Sequence, residues 1–302
     1  MPVLDHERVL LGHGSGGTLS AQLLERIFLP AFGNPILDRL DDQAVLDAPG
    51  SRLAFTTDSY VVTPLFFPGG DIGTLAVNGT VNDLAMSGAR PLYLSVGFIL
   101  EEGLRLEDLR RVVLSMRTAA RAAGVLVVTG DTKVVGKGSG DQVFINTSGI
   151  GAVPPGVTLS ADRVRPGDAV LLSGTVGDHG MAIMAQRASL GLEATIASDT
   201  AALHDLVAAM LDARPLHALR DPTRGGVAAT LHEIAGRAGV GIELVEGAVP
   251  VREDVKGACE ILGFDPLYVA NEGKLVAFVP EASAGAVLAA MRAHPLGKEA
   301  VR

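Results

Sequence analysis

Only one cysteine, three tyrosines and no tryptophan occur in this chain of 302 residues. The single cysteine, Cys259, excludes an intramolecular disulfide framework and any metal site built from several thiolates. Its neighbours have the spacing of an amphipathic helix, so we interpret Cys259 as a buried structural thiol. Long apolar runs are also absent. The richest stretch, residues 169–185, is interrupted by glycine, aspartate and histidine and does not reach the ~20 apolar residues that cross a bilayer.

Basic residues are fewer than acidic ones, and the formal net charge is −9. Nucleic-acid surfaces need a basic stripe and usually aromatic residues that stack on bases, so this composition argues against a nucleic-acid partner. A signal peptide would need a hydrophobic segment near the start, where this chain has Asp5, His6, Glu7 and Arg8. We therefore expect a soluble, cytoplasmic protein with no membrane partner.

The chain is longer than the usual single hydrophobic core, so we expect two domains. Hydrophobic periods alternate between 2 and 3.6 residues, which indicates an α/β protein with mixed α and β elements. Pro154-Pro155-Gly156 marks the best boundary, giving domains over residues 1–155 and 156–302. The periodicity predicts helices over 18–32, 71–87, 105–123, from 178 onward, 199–213, 224–238, 251–262 and 281–292, and strands over 52–57, 91–100, 125–131, 142–153, 169–174, 240–245 and 275–279.

Four aspartates lie at the ends of apolar strands or in glycine-rich turns: Asp42, Asp58, Asp83 and Asp131. Ligands of α/β folds bind at such strand ends and loops. Two carboxylates 4 Å apart repel by about 4 kcal/mol at an effective dielectric of 20, so a cluster of four needs cations. Hard oxygen ligands favour Mg²⁺, which bridges carboxylates and phosphates. The alternative is that each aspartate caps its own helix or turn.

The segment Gly12-His13-Gly14-Ser15-Gly16-Gly17 leads into a predicted helix. Glycine-rich backbone and a helix N-terminus favour a bound phosphate, although a merely flexible loop remains the alternative. Lys133 follows Asp131 by two residues, so a strand would place both on one face, where the lysine either reaches phosphate oxygens or pairs with an acid. In the second half, Asp178, Asp221, Arg224 and Glu272 lie in glycine-rich turns, and taken alone each is better explained as a capped turn than as a ligand.

Taken together, the motifs HGSGG, DDQA, TTDSYVVTPLFFPGG, GTVNDLAMSGA, VTGDTKVV, SGTVGDHG, LRDPTRGG and ANEGKLV resemble, in this order, the HypE family of hydrogenase maturation factors. That family lies within the aminoimidazole-ribotide synthetase (PurM)-like superfamily. The resemblance extends from about His13 to Lys298. It implies a two-domain PurM-like α/β fold, with an N-terminal domain that binds ATP and pairs in a homodimer, and a C-terminal α/β domain.

The resemblance also implies an activity, which is the ATP-dependent dehydration of a C-terminal cysteine S-carboxamide to a thiocyanate. The product supplies the cyanide ligand of [NiFe]-hydrogenase iron. The implied partners are a HypF-like carbamoyltransferase and a HypC–HypD-like iron scaffold, and the implied cofactors are ATP and Mg²⁺.

Residue roles carry over by matched motif. The resemblance implies Mg²⁺ ligands at Asp42, Asp58, Asp83 and Asp131, and proton handling by Lys133 and Glu272. It implies nucleotide or phosphate contacts at His13, Gly14, Ser15, Gly16, Gly17, Asp58, Asn82, Asp83, Asp131, Thr132, Asp178, Asp221 and Arg224.

One departure concerns the end of the chain. Members of this family close with a flexible tail ending in Pro-Arg-(Ile or Val)-Cys, and this sequence stops at Arg302. We expect either a truncated chain or the ordered part of a longer one, and Cys259 does not replace the terminal thiol. Two alternative functions follow: a tailless ATP-binding homologue that acts as a non-catalytic binding module, and a small-molecule kinase or synthetase of the same superfamily.

Overall fold

The computed structural model describes residues 6–14, 17–35, 37–39, 52–188 and 196–302. The chain forms two compact units. The first comprises Met1–Phe66, Asp71–Thr80 and Pro91–Ala152, and the second comprises Phe67–Gly70, Val81–Arg90 and Val153–Arg302. The second unit thus takes in two short segments from the N-terminal half, and the predicted domain limits of 1–155 and 156–302 stay a prediction.

The first unit is built on a four-stranded sheet with the order β1-β6-β4-β5. Its strands are β1 (Leu53–Tyr60), β4 (Arg90–Glu101), β5 (Leu126–Val135) and β6 (Val143–Ala152), and two short strands, β2 (Phe66–Phe67) and β3 (Gly70–Asp71), lie between β1 and β4 in the sequence. Strands β1 and β6 are antiparallel, whereas β4 and β5 are parallel. The parallel pair requires a crossover, which a helix between β4 and β5 supplies.

Helices of the first unit pack against one face of this sheet. They are α1 (Gly17–Leu23), a π-helical turn (Leu24–Phe28), α2 (Leu29–Phe32), the first part of α3 (Ile72–Met86), whose last residues belong to the second unit, and α4 (Leu106–Ala122). The ring of Phe28 stacks on that of Phe98 in β4 at 5.1 Å between centroids. Helix α4 buries the apolar stripe that its period predicts, because residues three and four apart share a face.

Gly79 lies in the middle of α3, where glycine normally costs a helix ~1 kcal/mol relative to alanine. A Cβ atom at this position would collide with the hydroxyl group of Tyr60 in β1. The absence of a side chain therefore leaves room for the end of the Tyr60 side chain against α3. The helix predicted over 71–87 is confirmed despite its glycine.

The second unit contains a three-stranded antiparallel sheet with the order β7-β9-β8. Its strands are β7 (Asp168–Leu172), β8 (Ala218–Arg220) and β9 (Val276–Pro280), and its helices are α5 (Asp178–Arg187), α6 (His204–Ala213), α7 (Gly226–Ala238), α8 (Glu253–Leu262) and α9 (Glu281–Ala293). Strand β9 lies at the centre of the sheet, and its first four residues are buried. Continuous burial explains why this strand is uniformly apolar rather than alternating.

Two predicted elements differ from the structure, and one further strand was not predicted. The segment 240–245 is irregular rather than a strand, although Val240 and Ile242 still pack against the core formed by β7, β9 and α7. The helix predicted from residue 199 begins only at His204, and the three-residue strand β8 was not predicted. Alternating apolar residues predict burial of one face, but a strand also needs a hydrogen-bonded neighbour, which sequence periodicity does not reveal.

Among the described residues, no helix combines the length and the apolar character needed to cross a membrane.

Candidate active site

Asp58 lies near the end of β1 and is opposite Thr147 in β6. Directly paired residues of an antiparallel ladder point to the same face. Thr147 is buried and its hydroxyl group contacts Ala76 and Thr80 of α3, so the face that Asp58 shares is the one covered by helices. The Oδ1 atom of Asp58 accepts the backbone N–H of Ser59 at 2.7 Å.

Asp131 and Lys133 lie on β5, opposite Gly97 and Ile99 of β4. Both side chains are exposed, and the i, i+2 spacing in a regular strand places them on one face, as the sequence predicts. The Oδ1 atom of Asp131 accepts the backbone N–H of Thr132 at 2.8 Å, the same arrangement that Asp58 makes with Ser59. The matching geometry holds each carboxylate against its own strand.

Asp58 and Asp131 occupy the same row across the sheet but opposite faces. Gly97 lies beside Asn146 of β6, which neighbours Thr147, so the row continues from β1 to β5. Three strand spacings separate the two outer strands by ~14 Å. In the described ranges, no three His, Cys, Asp or Glu side chains are grouped to hold a metal ion. Within one chain, Asp58 and Asp131 therefore do not converge as expected from the sequence; the ligand roles stay predictions, and Asp42 lies outside the described residues.

The N-terminal glycine-rich segment forms a 3₁₀ turn, Leu11–Gly14, before α1 begins at Gly17. His13 is buried, and its Nδ1 atom accepts the backbone N–H of Leu10 at 2.9 Å. Burial lowers the pKa of His13, which favours the neutral imidazole. The glycine-rich segment does lead into a helix, as predicted, whereas Ser15 and Gly16 lie outside the described residues.

Asn82, on the part of α3 that belongs to the second unit, is 1 % exposed. Its Nδ2 atom donates to the carbonyl oxygens of Ala201 and Glu272 at 3.0 and 3.2 Å, and its Oδ1 atom accepts the backbone N–H of Leu203 at 2.8 Å. This amide therefore braces two loops, and the role of Asn82 as a phosphate ligand stays a prediction. The neighbouring Asp83 is half-buried.

Asp178 begins α5 and is 3 % exposed. Its Oδ2 atom lies 2.5 Å from the hydroxyl group of Thr175, and its Oδ1 atom lies 3.7 Å from Nε of Arg252. Burial raises the pKa of the Asp178 carboxyl, and the hydrogen bond from Thr175 and the nearby cations oppose that shift. Asp178 is thus an enclosed acid, and its role as a nucleotide or phosphate contact stays a prediction.

His179 follows directly and is also buried. Its Nδ1 atom lies 2.8 Å from the hydroxyl oxygen of Ser198, and its ring meets that of Phe67 edge-on at 5.7 Å between centroids. Burial lowers the pKa of His179 to about 4, against an opposing attraction from Asp199. The imidazole is therefore neutral at pH 7, and sequence reasoning had assigned it no role.

Asp199 and Lys274 form a buried ion pair that sequence reasoning also missed. Oδ2 of Asp199 lies 3.0 Å from Nζ of Lys274, and the two side chains are 5 % and 13 % exposed. Oδ1 of Asp199 accepts the backbone N–H of Glu272 at 3.0 Å. The sequence feature that could have indicated this pair is Lys274, a lysine that directly precedes an apolar strand in the motif ANEGKLV.

Asn271 joins three of the motifs of the second half. Its Oδ1 atom accepts the backbone N–H of Gly177 at 2.8 Å, and its Nδ2 atom donates to the carbonyl oxygens of Pro222 and Val269. The turns of SGTVGDHG, DPTRGG and ANEGK are therefore one assembly. Within it, Asp221 is half-buried, and Arg224 is exposed two residues before α7 begins.

Cys259 is 1 % exposed on α8, and burial raises the pKa of its thiol. A protonated, enclosed thiol is a poor nucleophile, which agrees with the structural role expected from the sequence. A separate cavity of about 490 Å³ in the second unit, lined by residues of β7, α7, β9 and the segment 240–249, contains none of the candidate site residues.

Comparison with known proteins settles the family. The sequence matches the AIR synthase related protein N-terminal domain over residues 40–153 and the corresponding C-terminal domain over residues 165–302. It is 61 % identical over 289 residues to the carbamoyl dehydratase HypE of Azotobacter vinelandii, covering 95 % of this chain and 85 % of that protein. The chain belongs to the HypE family.

Solved HypE structures agree with this fold. A crystal structure of the hydrogenase maturation protein HypE in complex with ATP matches with a TM-score of 0.94 and 56 % identity, covering 97 % of this chain and 88 % of that one. The crystal structure of a HypE–HypF complex matches with a TM-score of 0.80 and 50 % identity over 92 % of this chain and 90 % of that one. The two-domain α/β fold expected from the sequence is confirmed.

Proposed function

We propose that this chain is an ATP-dependent carbamoyl dehydratase of hydrogenase maturation. The observation that carries the proposal is its similarity, at 56 % identity and a TM-score of 0.94, to a HypE structure bound to ATP. The relatives named carbamoyl dehydratase match nearly the whole chain, so both units are accounted for. The substrate is a cysteine S-carboxamide and the product is a thiocyanate.

The reaction removes the amide oxygen as phosphate. The carboxamide oxygen attacks the γ-phosphorus of ATP, and ADP leaves while one amide proton is lost. Loss of the second amide proton then expels phosphate and completes the C≡N bond. An amide oxygen is a poor leaving group until it is phosphorylated, and both proton removals need a base. Glu272 and Lys133 are the residues to which we assign proton handling.

Nucleotide binding is assigned to the glycine-rich segment and the acidic positions. Residues 13–17 precede or begin α1, whose N-terminal N–H groups favour phosphate. Asp58 and Asp131 each hold one carboxylate oxygen against the adjacent backbone N–H. Carboxylate oxygens are ligands that suit Mg²⁺, and Asp42, Asp58, Asp83 and Asp131 are the proposed ligands, but Asp58 and Asp131 lie on opposite sheet faces and would not hold one ion within a single chain. When bound, Mg²⁺ would offset the charge of the triphosphate and of these acids.

A homodimer formed through the first unit is part of the proposal. The face of its sheet opposite the helices carries Leu53, Phe55, Ile99 and Leu126, which are 50 %, 72 %, 44 % and 44 % exposed. Apolar groups of this size on a strand face usually mark an interface. We accordingly assign ATP binding and dimerisation to residues 1–155, and the C-terminal PurM-like domain to residues 156–302.

The proposed partners follow the comparisons. A solved HypE–HypF complex supports a HypF-like carbamoyltransferase as the source of the carbamoyl group. A HypC–HypD-like iron scaffold as acceptor of the nitrile, and a cytoplasmic location, rest on the family resemblance alone. The comparisons favour the enzyme over a non-catalytic ATP-binding module, because relatives named carbamoyl dehydratase match nearly the whole chain; a non-catalytic module would form no thiocyanate.

The test of nucleotide binding uses one matched pair of variants. Because carboxylates near a triphosphate require a cation, ATP affinity in calorimetry should fall at least tenfold when EDTA removes Mg²⁺. Asp83→Asn should weaken ATP binding about tenfold, whereas Asp141→Asn, at an exposed site in the connection between β5 and β6, should change it less than twofold. Equal ATP affinity with and without EDTA would contradict the assignment of the acidic positions.

A further inference from the structure

The peptide groups on both sides of Glu272 are held by buried side chains of the second unit. Its N–H donates to Oδ1 of Asp199 at 3.0 Å, and its carbonyl oxygen accepts from Nδ2 of Asn82 at 3.2 Å. The next residue is Gly273, where a Cβ atom would collide with the carbonyl oxygen of Asp199. The backbone that carries Glu272 is therefore fixed by direct contacts.

Asp199 is itself fixed by Lys274. Their ion pair measures 3.0 Å with both side chains largely withdrawn from water. Removing two charges from water costs several kcal/mol per ion before their attraction is counted, so a buried pair contributes geometry more than stability. Here the ion pair fixes the orientation of the Asp199 carboxylate, which binds Lys274 with one oxygen and accepts the Glu272 N–H with the other.

We propose that Asp199, locked by Lys274, is a positioning residue that holds Glu272 in place for proton removal from the carboxamide. The inference rests on the proposed role of Glu272 as a base. A base acts only within hydrogen-bond reach of the proton it takes, and a displacement of ~1 Å can cost ~10²-fold in rate. Asp199 acts through the backbone of Glu272 and need not touch the substrate.

The matched control is Asp168, which has a comparable arrangement elsewhere in the same unit. Oδ2 of Asp168 accepts the backbone N–H of Arg165 at 2.8 Å and lies 2.7 Å from Nδ1 of His217. Asp199→Asn and Asp168→Asn each keep the size of the side chain and remove its charge. Both variants should lower the melting temperature, so any difference in activity separates positioning from loss of stability.

Activity is measured as ATP-dependent thiocyanate formation on a peptide that ends in an S-carbamoyl cysteine. Asp199→Asn should lower kcat by ten- to a hundredfold with KM for ATP unchanged within twofold, whereas Asp168→Asn should leave kcat within twofold of the parent. Equal kcat values for the two variants would overturn the positioning role. The variant Glu272→Gln tests the role of Glu272 as the base separately from the positioning role of Asp199. If Glu272→Gln retains full kcat, Glu272 is not the base, whatever the result for Asp199→Asn.

A second measurement does not depend on turnover. Hydrogen exchange at the Glu272 amide should accelerate about tenfold in Asp199→Asn relative to Asp168→Asn, since only in the former does the acceptor of that N–H become an uncharged amide oxygen that no longer pairs with Lys274. Lys274→Met should give the same local acceleration, because it removes the group that holds the Asp199 carboxylate. Unchanged protection of this amide in Asp199→Asn would overturn the proposal.

Discussion

At the residue scale, burial acts in opposite directions on two adjacent side chains at the start of α5. It raises the pKa of Asp178 and lowers that of His179 to about 4, so in each case the neutral form is favoured. In the unfolded chain, His179 becomes protonated as the pH falls below its ordinary pKa near 6.5. In the folded state the imidazole stays neutral until the pH approaches 4. Its neutral form thus contributes stability that is present above pH 6.5 and lost as the pH falls towards 4.

This gives a pH prediction. When the pH is lowered from 7 to 5, protonation of His179 in the unfolded state should reduce the free energy of unfolding by about 2 kcal/mol. His179→Gln removes the titrating group, so its unfolding free energy should fall less over the same interval. Urea denaturation at the two pH values measures the difference. Parallel pH profiles for the parent and the variant would show that His179 is not the titrating group.

Two glycines in the second unit allow a direct comparison of steric effects. Alanine at Gly273 would place its Cβ against the carbonyl oxygen of Asp199, whereas Cβ at Gly236, inside α7, meets nothing within 4 Å. Gly273→Ala should therefore destabilise the protein by at least ~2 kcal/mol. Gly236→Ala should stabilise it by roughly 0.5–1 kcal/mol, because alanine favours a helix. Thermal unfolding of both variants tests the contrast, and a stable Gly273→Ala would contradict the close packing of this turn.

At the element scale, the sequence predicted those features that depend on local periodicity. Helix α4 has both a clear apolar stripe and acidic residues in its first turn, and its predicted limits differ from the observed ones by one residue at each end. The segment 240–245 shows the opposite case. Its apolar residues alternate, but no strand lies beside them in the described structure, so they pack on the core without forming a ladder.

The candidate site shows the same contrast between features that follow from local periodicity and features that depend on residues distant in the sequence. The spacing of Asp131 and Lys133 was sufficient to place them on one face, because a strand has a fixed period. The pairing of Asp199 with Lys274 joins residues 75 positions apart, and no local pattern indicates it. The face on which Asp58 lies was likewise unpredictable, because it depends on which side of β1 the helices cover.

At the scale of the whole molecule, the exposed sheet face of the first unit gives the last prediction. Phe55 is the most exposed of its apolar residues, and a dimer would bury two copies of it. Each buried phenylalanine contributes about 1.5–3 kcal/mol, and a lysine in its place would also have to lose its hydration. Phe55→Lys should therefore weaken the dimer ~10²-fold or more, and light scattering at micromolar concentration should report a monomer.

Ile261→Lys is the matched control, since Ile261 is 67 % exposed on α8 in the second unit, and this variant should remain dimeric. Dimerisation through another surface would leave Phe55→Lys dimeric, and a monomeric parent protein would exclude the homodimer altogether.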